Sequence, residues 1–267
     1  MAEHTGKQGI DVSYHNGTID WKKVRESVEF AIIRAGYGRS KMDKCFINNI
    51  TGAQKAGLET GVYWFIYAKD AAQAVENAKK CEECIKDYKD KITMGVWADW
   101  EYSSDQRNPQ TKESRTKIVR AFCDYMKSRG YEAGIYTNLD YLKNKYDNID
   151  GYPLWIAMYS SYKEGYNPVM RQYTSKGSVP GISGNVDRNI YYGNQPVQPT
   201  QRGIVKMGSR GADVIFLQQR LAAKGYGVGA VDGIFGIKTL EAVKIYQTEN
   251  GLAADGIVGP KTWETLE

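Results

Sequence analysis

The sequence predicts an α/β protein in which an irregular, TIM-like (β/α) barrel is followed by a small C-terminal three-helix domain. Three observations support this prediction. Short apolar, aromatic-rich runs recur along the longer N-terminal part of the chain, and amphipathic helical segments separate the earlier ones. A proline- and glutamine-rich stretch then sets the last part of the chain apart.

Eight runs have the length and composition of β-strands. They start at Gly9, Phe30, Gly61, Met94, Glu132, Pro153, Met170 and Asn185. Apolar residues at helical spacing predict helices between the earlier runs, at residues 20–28, 47–56, 71–88 and 113–129. The last two connections, residues 162–168 and 176–184, are too short for helices, and we expect hairpin-like returns there in place of crossovers.

The stretch YGNQPVQPTQRG, between Tyr192 and Gly203, has no apolar periodicity. Its composition is typical of a linker. We therefore expect a barrel domain at residues 1–194, a linker at 195–202 and a second domain at 203–267.

Composition narrows the class of protein. Of the 267 residues, 42% are hydrophobic and 25% are charged, which is typical of a soluble globular protein. No apolar run approaches the ~18 residues that a membrane span needs, so no membrane insertion is expected. The first residues lack a secretory signal, which predicts synthesis in the cytoplasm unless a signal has been removed. A net charge of +5 is too small for a nucleic-acid-binding footprint, and the oligomeric state is left open.

Histidine and cysteine usage argues against two enzyme classes. Only His4 and His15 are present, which disfavours both a zinc hydrolase and a Cys-His nucleophile pair. Cys81 and Cys84 have metal or redox spacing, but no second C-x-x-C accompanies them. Cys81 lies on an apolar stripe at helical spacing, so we interpret it as a core residue.

Two carboxylates interrupt an otherwise apolar run. In VWADWEY, which starts at residue 96, Asp99 and Glu101 are two positions apart and therefore share a strand face, with Cα atoms ~6.6 Å apart. Taken alone, a D-x-E pair indicates a strand that has reached solvent. Asp11 in the first run and Asp187 in the eighth favour another interpretation, because all four carboxylates could meet at the C-terminal end of a closed barrel.

Two carboxyl groups on a cleft floor can cleave a glycosidic bond: one protonates the leaving oxygen, and the other stabilises the oxocarbenium charge. Glu101, which has the longer side chain and lies nearer the strand end, is the candidate proton donor, and a neighbouring carboxylate would raise its pKa. If the substrate carries an N-acetyl group, its carbonyl can act as the nucleophile while Asp99 orients it. The spacing of the two acids leaves the stereochemistry open.

The walls of a sugar-binding cleft are expected to be aromatic, since sugar rings stack on π surfaces. The candidates on the predicted strands are Tyr63, Phe65, Tyr67, Tyr136, Trp155 and Tyr159. For any one of them a place in the core is an equal alternative. An excess of 20 tyrosines over 6 phenylalanines favours polar-tipped surfaces that can hydrogen-bond to sugars.

The N-terminal part of the chain resembles glycoside hydrolase family 25, the lysozymes related to the fungal and phage muramidases. The resemblance covers roughly residues 9–193. Its motifs, in family order, are G-I-D-V-S at 9–13, I-I-R-A-G-Y-G at 32–38, G-V-Y-W-F-I-Y-A at 61–68, V-W-A-D-W-E at 96–101, Y-T-N at 136–138, L-W-I-A-x-Y at 154–159, Q-Y-x-S-x-G at 172–177 and G-x-V-D-x-N at 184–189.

This resemblance implies an irregular barrel that hydrolyses the β-1,4 bond between N-acetylmuramic acid and N-acetylglucosamine in peptidoglycan. It implies that Glu101 is the general acid/base, Asp99 the second carboxylate, and Asp11 and Asp187 the other acids of the site. Residues implied to line the sugar cleft are Tyr63, Phe65, Tyr136, Trp155 and Gln172. Trp64 stands where many members of the family carry histidine, so local hydrogen bonding is expected to differ there.

An internal repeat marks the C-terminal part of the chain. DGIFGIKT, starting at Asp232, returns as DGIVGPKT, starting at Asp255, and a helical pattern precedes each copy. The segment from Gly203 to Leu266 resembles the type 1 peptidoglycan-binding domain, a three-helix module. For the individual Asp and Gly residues we favour a role in turns and helix caps over contact with a ligand.

The leading hypothesis is therefore a modular hydrolase whose partner is bacterial peptidoglycan and whose second domain keeps it on an insoluble substrate. A phage endolysin released through a separate membrane pore is the favoured source, and a bacterial autolysin or toxin exported by another route is the alternative. The alternatives are a related barrel glycosidase, such as a chitinase or glucosaminidase, and a non-catalytic wall-binding protein. No motif calls for a cofactor or a metal ion.

Overall fold

The computed structural model describes residues 6–160, 168–193 and 203–266. They fall into two compact units: one holds the described residues up to 193, and the other begins at 203. The predicted linker, 195–202, lies outside the described residues.

The N-terminal unit is built on a closed sheet. Its strands are β1 (Lys7–Val12), β2 (Phe30–Tyr37), β3 (Lys41–Met42), β4 (Glu59–Phe65), β5 (Ile92–Asp99), β6 (Ala133–Asn138), β7 (Leu154–Ala157), β8 (Met170–Gly177) and β9 (Val186–Tyr191). Pairing runs in the order β1-β9-β8-β7-β6-β5-β4-β2, and a parallel β1–β2 pairing closes the ring. Eight of the described strands thus form the predicted barrel, and the short β3 extends β2 as an antiparallel edge.

The expectation of hairpin-like returns is half correct. The β8–β9 connection is a hairpin, because these strands pair antiparallel, as do β9 and β1. The β7–β8 connection is not a hairpin, since β7 and β8 pair in parallel. The prediction treated a short connection as a return, but a parallel crossover does not require a helix. Residues 161–167 of this connection lie outside the described residues.

Five helices of the described residues surround the barrel, four of them at the predicted amphipathic segments and one, at residues 102–107, where no helix was predicted. They are α1 (Trp21–Arg25), α2 (Phe46–Lys55), α3 (Ala71–Ile85), α4 (Tyr102–Arg107) and α5 (Lys112–Ser128), with short 3-10 turns at Tyr14–Asn16 and Lys86–Lys91 and a π-helical turn at Tyr141–Lys145. Their apolar faces pack on the outside of the strands in one continuous core. Cys81 is fully buried in that core on α3, as the helical spacing predicted.

The direction of β9 decides where its side chains act. Because β9 runs antiparallel to β1, its first residues lie at the end of the barrel where the parallel strands finish. Asp187, near the start of β9, is therefore the register partner of Asp11, near the end of β1. Below them the barrel interior is filled by the apolar side chains of Phe30, Ile32, Met94, Trp97, Trp155 and Met170. The interior is thus apolar and packed at one end and polar at the other.

Trp64, which stands where many family members carry histidine, lies on the outer face of the barrel. Alternation along β4 turns Trp64 away from the interior that Tyr63 and Phe65 face, and it is fully buried among the helices. Its indole N–H donates to the Gly38 carbonyl at 2.9 Å. A side chain at Gly36 would collide with the Trp64 ring, so glycine at this position makes room for the indole.

The C-terminal unit contains three helices in its described residues, α6 (Ala212–Ala223), α7 (Ile237–Glu249) and α8 (Pro260–Leu266). They enclose a core that includes Leu217, Val243 and Trp263. Each copy of the D-G-I repeat forms a turn directly before α7 or α8, with Gly233 and Gly256 both at φ +72°. Across the described residues of both units, no helix is long and apolar enough to span a membrane.

Candidate active site

A cleft of about 380 Å³ opens at the C-terminal end of the barrel strands. It is lined by carboxyl, hydroxyl, amide and aromatic groups from every part of the ring: Asp11, Ser13, His15, Asn16, Arg34, Tyr63, Phe65, Asp99, Glu101, Tyr136, Trp155, Tyr159, Gln172, Asn185 and Asp187. All four predicted acids and all five predicted sugar-lining residues belong to this set. Polar side chains make up more of this cleft's lining than they do in a cofactor pocket, whose lining is mostly apolar.

Asp99 and Glu101 reach the cleft in different ways. Asp99 is the last residue of β5, on the interior face that Trp97 also occupies, and it is 4% exposed. Glu101 is beyond the strand, at the position that caps the N-terminus of α4. The predicted shared strand face therefore ends at Asp99, and the turn into α4 carries Glu101 to the same cleft. Its backbone N–H donates to the Ser104 hydroxyl at 3.4 Å, and that hydroxyl donates to the Ile66 carbonyl at 2.8 Å.

Asp11 is held by two side-chain amides. Gln172 and Asn189 donate to the same oxygen, Asp11 Oδ2, at 2.9 Å and 2.7 Å. The Trp155 indole donates to Asn189 Oδ1 at 2.8 Å. An indole N–H can only donate, so this contact fixes the amide of Asn189 with its NH₂ group toward Asp11. Asp11 is thus rigidly placed, with Oδ2 fully occupied.

Asp11 and Asp187 form a pair of interacting carboxyl groups. Burial raises the pKa of Asp11 to about 8, and the Asp187 carboxyl adds to the rise, while the amides of Asn189 and Gln172 oppose it. Burial raises the pKa of Asp187 to about 6, and a side-chain hydrogen bond with Asp11 opposes that rise. Two hydrogen-bonded carboxyl groups in a poorly solvated site share one proton at neutral pH.

Asp99 is a buried acid, and one of its carboxyl oxygens has no hydrogen-bond partner. Burial raises its pKa well above the usual range, the charges of Glu101 and Asp11 add to the effect, and Arg34 opposes it. Among the described buried side-chain atoms, Asp99 Oδ1 is one of the few without a hydrogen-bond partner. A buried oxygen of this kind is costly unless a ligand donates to it. Asp99 is therefore placed to accept a hydrogen bond from bound substrate.

Glu101 has the electrostatic properties of a proton donor. Burial raises its pKa, a side-chain hydrogen bond from Tyr136 lowers it, and the charge of Asp187 raises it again. A raised pKa favours the protonated form of a carboxyl group, which is the form that general acid catalysis requires. The surroundings of Glu101 thus fit the role assigned to it from its sequence position.

A buried ion pair fixes the helix that follows Glu101. Asp105 on α4 accepts from the Arg115 guanidinium at 2.8 Å and 3.0 Å, from the Tyr141 hydroxyl at 2.6 Å and from the Trp100 indole at 3.2 Å. Arg115 is 4% exposed and also donates to the backbone carbonyl of Gln110 at 2.8 Å. A buried pair with its remaining groups satisfied holds one geometry, so the start of α4 has little freedom.

Arg34 is a cleft residue that the sequence analysis quoted in a motif but did not assign. Its guanidinium contacts Asp43 Oδ2 at 2.7 Å and 2.8 Å, and it lies 4.8 Å from the centre of the Tyr14 ring. The Asp43 side chain is fully buried and also accepts from the Cys45 backbone at 2.9 Å. The position of Arg34 in β2 could have identified it, because a charged residue in the apolar run IIRAGYG indicates a buried ion pair or a functional site.

The aromatic residues divide between floor and walls. Trp155 is 2% exposed and packs edge-on against Tyr136 and Tyr63, so it forms the floor of the cleft. Tyr159 is 54% exposed and stands at the rim. Tyr67 packs on Phe65 without lining the cleft.

Sequence reasoning also missed Asn189, which belongs to the quoted motif G-x-V-D-x-N and contacts Asp11. What distinguishes Asn189 is the complete burial of its amide inside the barrel, and the sequence alone does not show burial. Ser13, His15, Asn16 and Asn185 also line the cleft; the first three belong to the 3-10 turn after β1 and its cap, and Asn185 directly precedes β9. Within the described part of the chain, no group of three or more His, Cys, Asp or Glu side chains is arranged to hold a metal ion.

Comparisons with known proteins agree with this geometry. Residues 10–182 match the family described as "Glycosyl hydrolases family 25", and residues 210–266 match the one described as "Putative peptidoglycan binding domain". The chain is similar to an autolytic lysozyme of Clostridium acetobutylicum, at 29% identity over 96% of this chain and 77% of that protein. It is similar to lysozyme M1 of Streptomyces globisporus, at 27% identity over 72% of this chain and 70% of that protein.

Among solved structures, the modular autolysin LytC of Streptococcus pneumoniae matches with a TM-score of 0.63 at 33% identity. That match covers 70% of this chain and 47% of LytC, so this chain spans about half the length of that autolysin. The family match covers more than half of the chain, over the barrel that holds the four acids. The chain therefore belongs to glycosyl hydrolases family 25 and is a glycoside hydrolase.

Proposed function

We propose that this protein is an N-acetylmuramidase that cleaves the β-1,4 bond between N-acetylmuramic acid and N-acetylglucosamine in bacterial peptidoglycan. Its class, a peptidoglycan hydrolase with a peptidoglycan-binding module, follows from the two family matches and from relatives named as lysozymes. The cleaved bond, the roles of the residues and the task of the second unit form the proposal.

The observation that carries the proposal is the meeting of four carboxyl groups, all with raised pKa values, in one cleft. Glu101 protonates the oxygen of the leaving sugar and later removes a proton from the attacking water. It suits this role because burial raises its pKa while the cleft remains open to solvent and substrate.

Asp99 supports the step in which the bond breaks. Its free oxygen, Oδ1, accepts a hydrogen bond from the N–H of the substrate's N-acetyl group. That contact orients the acetyl carbonyl for attack on the anomeric carbon, and the carboxylate stabilises the positive charge that develops as the ring closes. The nucleophile then comes from the substrate, and Asp99 makes no covalent bond.

Asp11 and Asp187 set the charge of the cleft. Sharing one proton, they place a single negative charge on the side of the cleft opposite β5, where it favours an oxocarbenium-like transition state. Trp155 and Tyr63 form the floor and wall against which sugar rings lie. Residues 1–194 act as the catalytic domain, 195–202 as the linker and 203–267 as the wall-binding domain, which raises the local concentration of the enzyme on its substrate.

The cell wall is the site of action. An endolysin released through a separate membrane pore and an autolysin exported by the bacterium both fit the chain. A chitinase or glucosaminidase is the second candidate for the barrel, and identification of the sugar at the new chain end separates these from a muramidase.

Digestion of purified peptidoglycan tests the proposal. The products are reduced with borohydride and the reduced sugar is identified for the wild type, for Glu101→Gln and for Glu113→Gln, whose side chain is 71% exposed on the outer helix α5. Muramicitol from the wild type and Glu113→Gln, but not from Glu101→Gln, is the expected result. Glucosaminitol would move the cut to the other bond, and no reduced sugar from any of the three would refute an enzyme.

A further inference from the structure

The hydroxyl group of Tyr136 donates to Gln172 Oε1 at 2.9 Å. It lines the same cleft as the Glu101 carboxyl, and a hydrogen bond from Tyr136 to that carboxyl lowers the pKa of Glu101. A tyrosine hydroxyl has one hydrogen and can donate it to one acceptor at a time. Burial raises the pKa of Tyr136 well above its usual value, so the hydroxyl keeps that hydrogen throughout the working range of pH.

Gln172 does not depend on Tyr136 alone. The Tyr159 hydroxyl donates to the same oxygen, Gln172 Oε1, at 2.8 Å. The orientation of Gln172 is constrained at its other end, where Nε2 donates to Asp11 Oδ2 at 2.9 Å beside the indole-anchored amide of Asn189. A buried amide oxygen requires at least one donor, and this one has two. One of the two tyrosines is therefore surplus to what Gln172 needs.

We propose that Tyr136 is a two-position proton donor that serves Gln172 while Glu101 is protonated and turns to Glu101 when that residue becomes a carboxylate. Tyr159 holds Gln172, and through it Asp11, while Tyr136 is turned away. This inference rests on the proposed role of Glu101 as the general acid/base. It assigns Tyr136 and Tyr159 functions beyond the lining of the sugar cleft.

The proton balance of the step is simple. Before bond cleavage the Glu101 O–H donates to the Tyr136 oxygen, and the Tyr136 O–H donates to Gln172 Oε1. When Glu101 passes its proton to the leaving sugar oxygen, the carboxylate that remains needs a donor. The Tyr136 O–H rotates to it, no proton leaves Tyr136, and Gln172 Oε1 keeps the hydrogen bond from Tyr159.

Several other groups act on Glu101 and must be separated from this effect. Those whose charge or hydroxyl interacts electrostatically with it are Asp11, Asp99, Asp187, Tyr102, Tyr136 and Tyr159. Replacing a tyrosine by phenylalanine leaves every carboxylate in place and removes one oxygen. The Tyr→Phe series therefore isolates the hydroxyl groups.

The experiment is a titration of the full chain labelled with [δ-¹³C]glutamate, followed by NMR, with the Glu101 signal assigned from its absence in Glu101→Gln. Tyr136→Phe is expected to raise the pKa of Glu101 by about one unit, because a charge-assisted hydrogen bond to the carboxylate is lost. Tyr159→Phe is expected to raise it less, since Tyr136 then becomes the sole donor to Gln172 and is drawn away from Glu101. In the double variant Tyr159→Phe is expected to add nothing to the effect of Tyr136→Phe.

The matched control is Tyr125→Phe, in which the lost hydroxyl donated to a carboxylate, Glu82 Oε2, at 2.6 Å on the outer helices. It is expected to leave the Glu101 titration unchanged. The alkaline limb of kcat/KM on soluble peptidoglycan fragments should move upward with the Glu101 pKa in Tyr136→Phe, while kcat falls about tenfold.

Two results would overturn the inference: a Glu101 pKa that does not move in Tyr136→Phe, or effects of Tyr136→Phe and Tyr159→Phe that simply add. Full activity in Glu101→Gln would instead refute the proposed function, and it would do so without changing any of the titrations. The two failures are therefore distinguishable.

Discussion

The cleft of the barrel and the two turns of the C-terminal unit both bury polar side chains, but they leave them in different states. In the turns each buried glutamine is fully bonded: Gln218 Nε2 faces Asp232 Oδ1, the Ile234 carbonyl and Thr239 Oγ1 at 3.0–3.2 Å, and its Oε1 accepts from the Gly233 backbone at 2.9 Å. In the cleft, Asp99 Oδ1 has no partner.

The second turn repeats the first contact for contact. Gln247 Nε2 faces Asp255 Oδ1, the Ile257 carbonyl and Thr262 Oγ1 at 3.0–3.2 Å, and its Oε1 accepts from the Gly256 backbone at 2.9 Å. The Asp and Gly of each repeat are thus part of the turn structure, which agrees with the interpretation favoured from the sequence. A satisfied polar group holds the fold together, whereas an unsatisfied one is available for chemistry.

The largest effect that tests this comparison is expected at the unsatisfied group. Asp99→Asn keeps the shape of the side chain and removes its charge, so kcat should fall by roughly 10²–10³-fold through lost stabilisation of the transition state. The thermal stability should not fall. Turnover of soluble peptidoglycan fragments and Tm measured together check both statements. Asp90→Asn, an exposed carboxylate outside the cleft, is the control. A folded Asp99→Asn with wild-type kcat would contradict the role given to Asp99.

The next largest effect is a loss of stability on replacing Gln218, whose side-chain amide is fully hydrogen-bonded. Gln218→Leu leaves the backbone N–H of Gly233 without its acceptor and removes the donor that faces Asp232 and Thr239, which should destabilise the C-terminal unit by about 2–3 kcal/mol. Hydrogen exchange of residues 203–266 in the full chain measures the change. Gln219→Leu is the matched control, because it makes the same substitution at the neighbouring, exposed position. Equal exchange rates in the two variants would show that the bonded glutamine contributes nothing.

The smallest predicted effect is a gain in thermal stability, at Asp187. The raised pKa of Asp187, about 6 against an unfolded value near 3.8, means that its ionised form disfavours the folded state. This cost is absent below pH 3.8 and fully present above about pH 6. Asp187→Asn should therefore raise Tm at pH 8 by roughly 2–4 °C, allowing for solvent screening of a partly exposed group, and should not raise it at pH 3.5.

Tryptophan fluorescence follows this melting transition, because five of the six tryptophans belong to the barrel. Activity should fall in the same variant, as expected when a strained catalytic group is relieved. An equal change in Tm at both pH values would mean that the carboxylate is not ionised at a cost in the folded protein.

The sequence by itself determined a large part of this protein. Eight runs with strand composition and the helices between them predicted the barrel, and the D-x-E pair with Asp11 and Asp187 predicted the cleft. The barrel was confirmed because alternation and helical periodicity are local: the pattern of Val96 to Asp99 follows from neighbours in the chain. The four acids do line one cleft, and their catalytic roles stay a prediction. The turn role of the D-G-I repeats was also predicted, since the φ +72° glycines follow from local turn chemistry.

Tertiary structure alone decided the partners across the sheet. Asn189 meets Asp11 from 178 positions away, and Gln172 meets it from 161 positions away, because strand order and register place them side by side. The parallel pairing of β7 with β8 and the position of Glu101 beyond the end of β5 were decided in the same way. Burial, hydrogen-bond satisfaction and raised pKa values depend on these long-range contacts, and no local pattern in the chain records them.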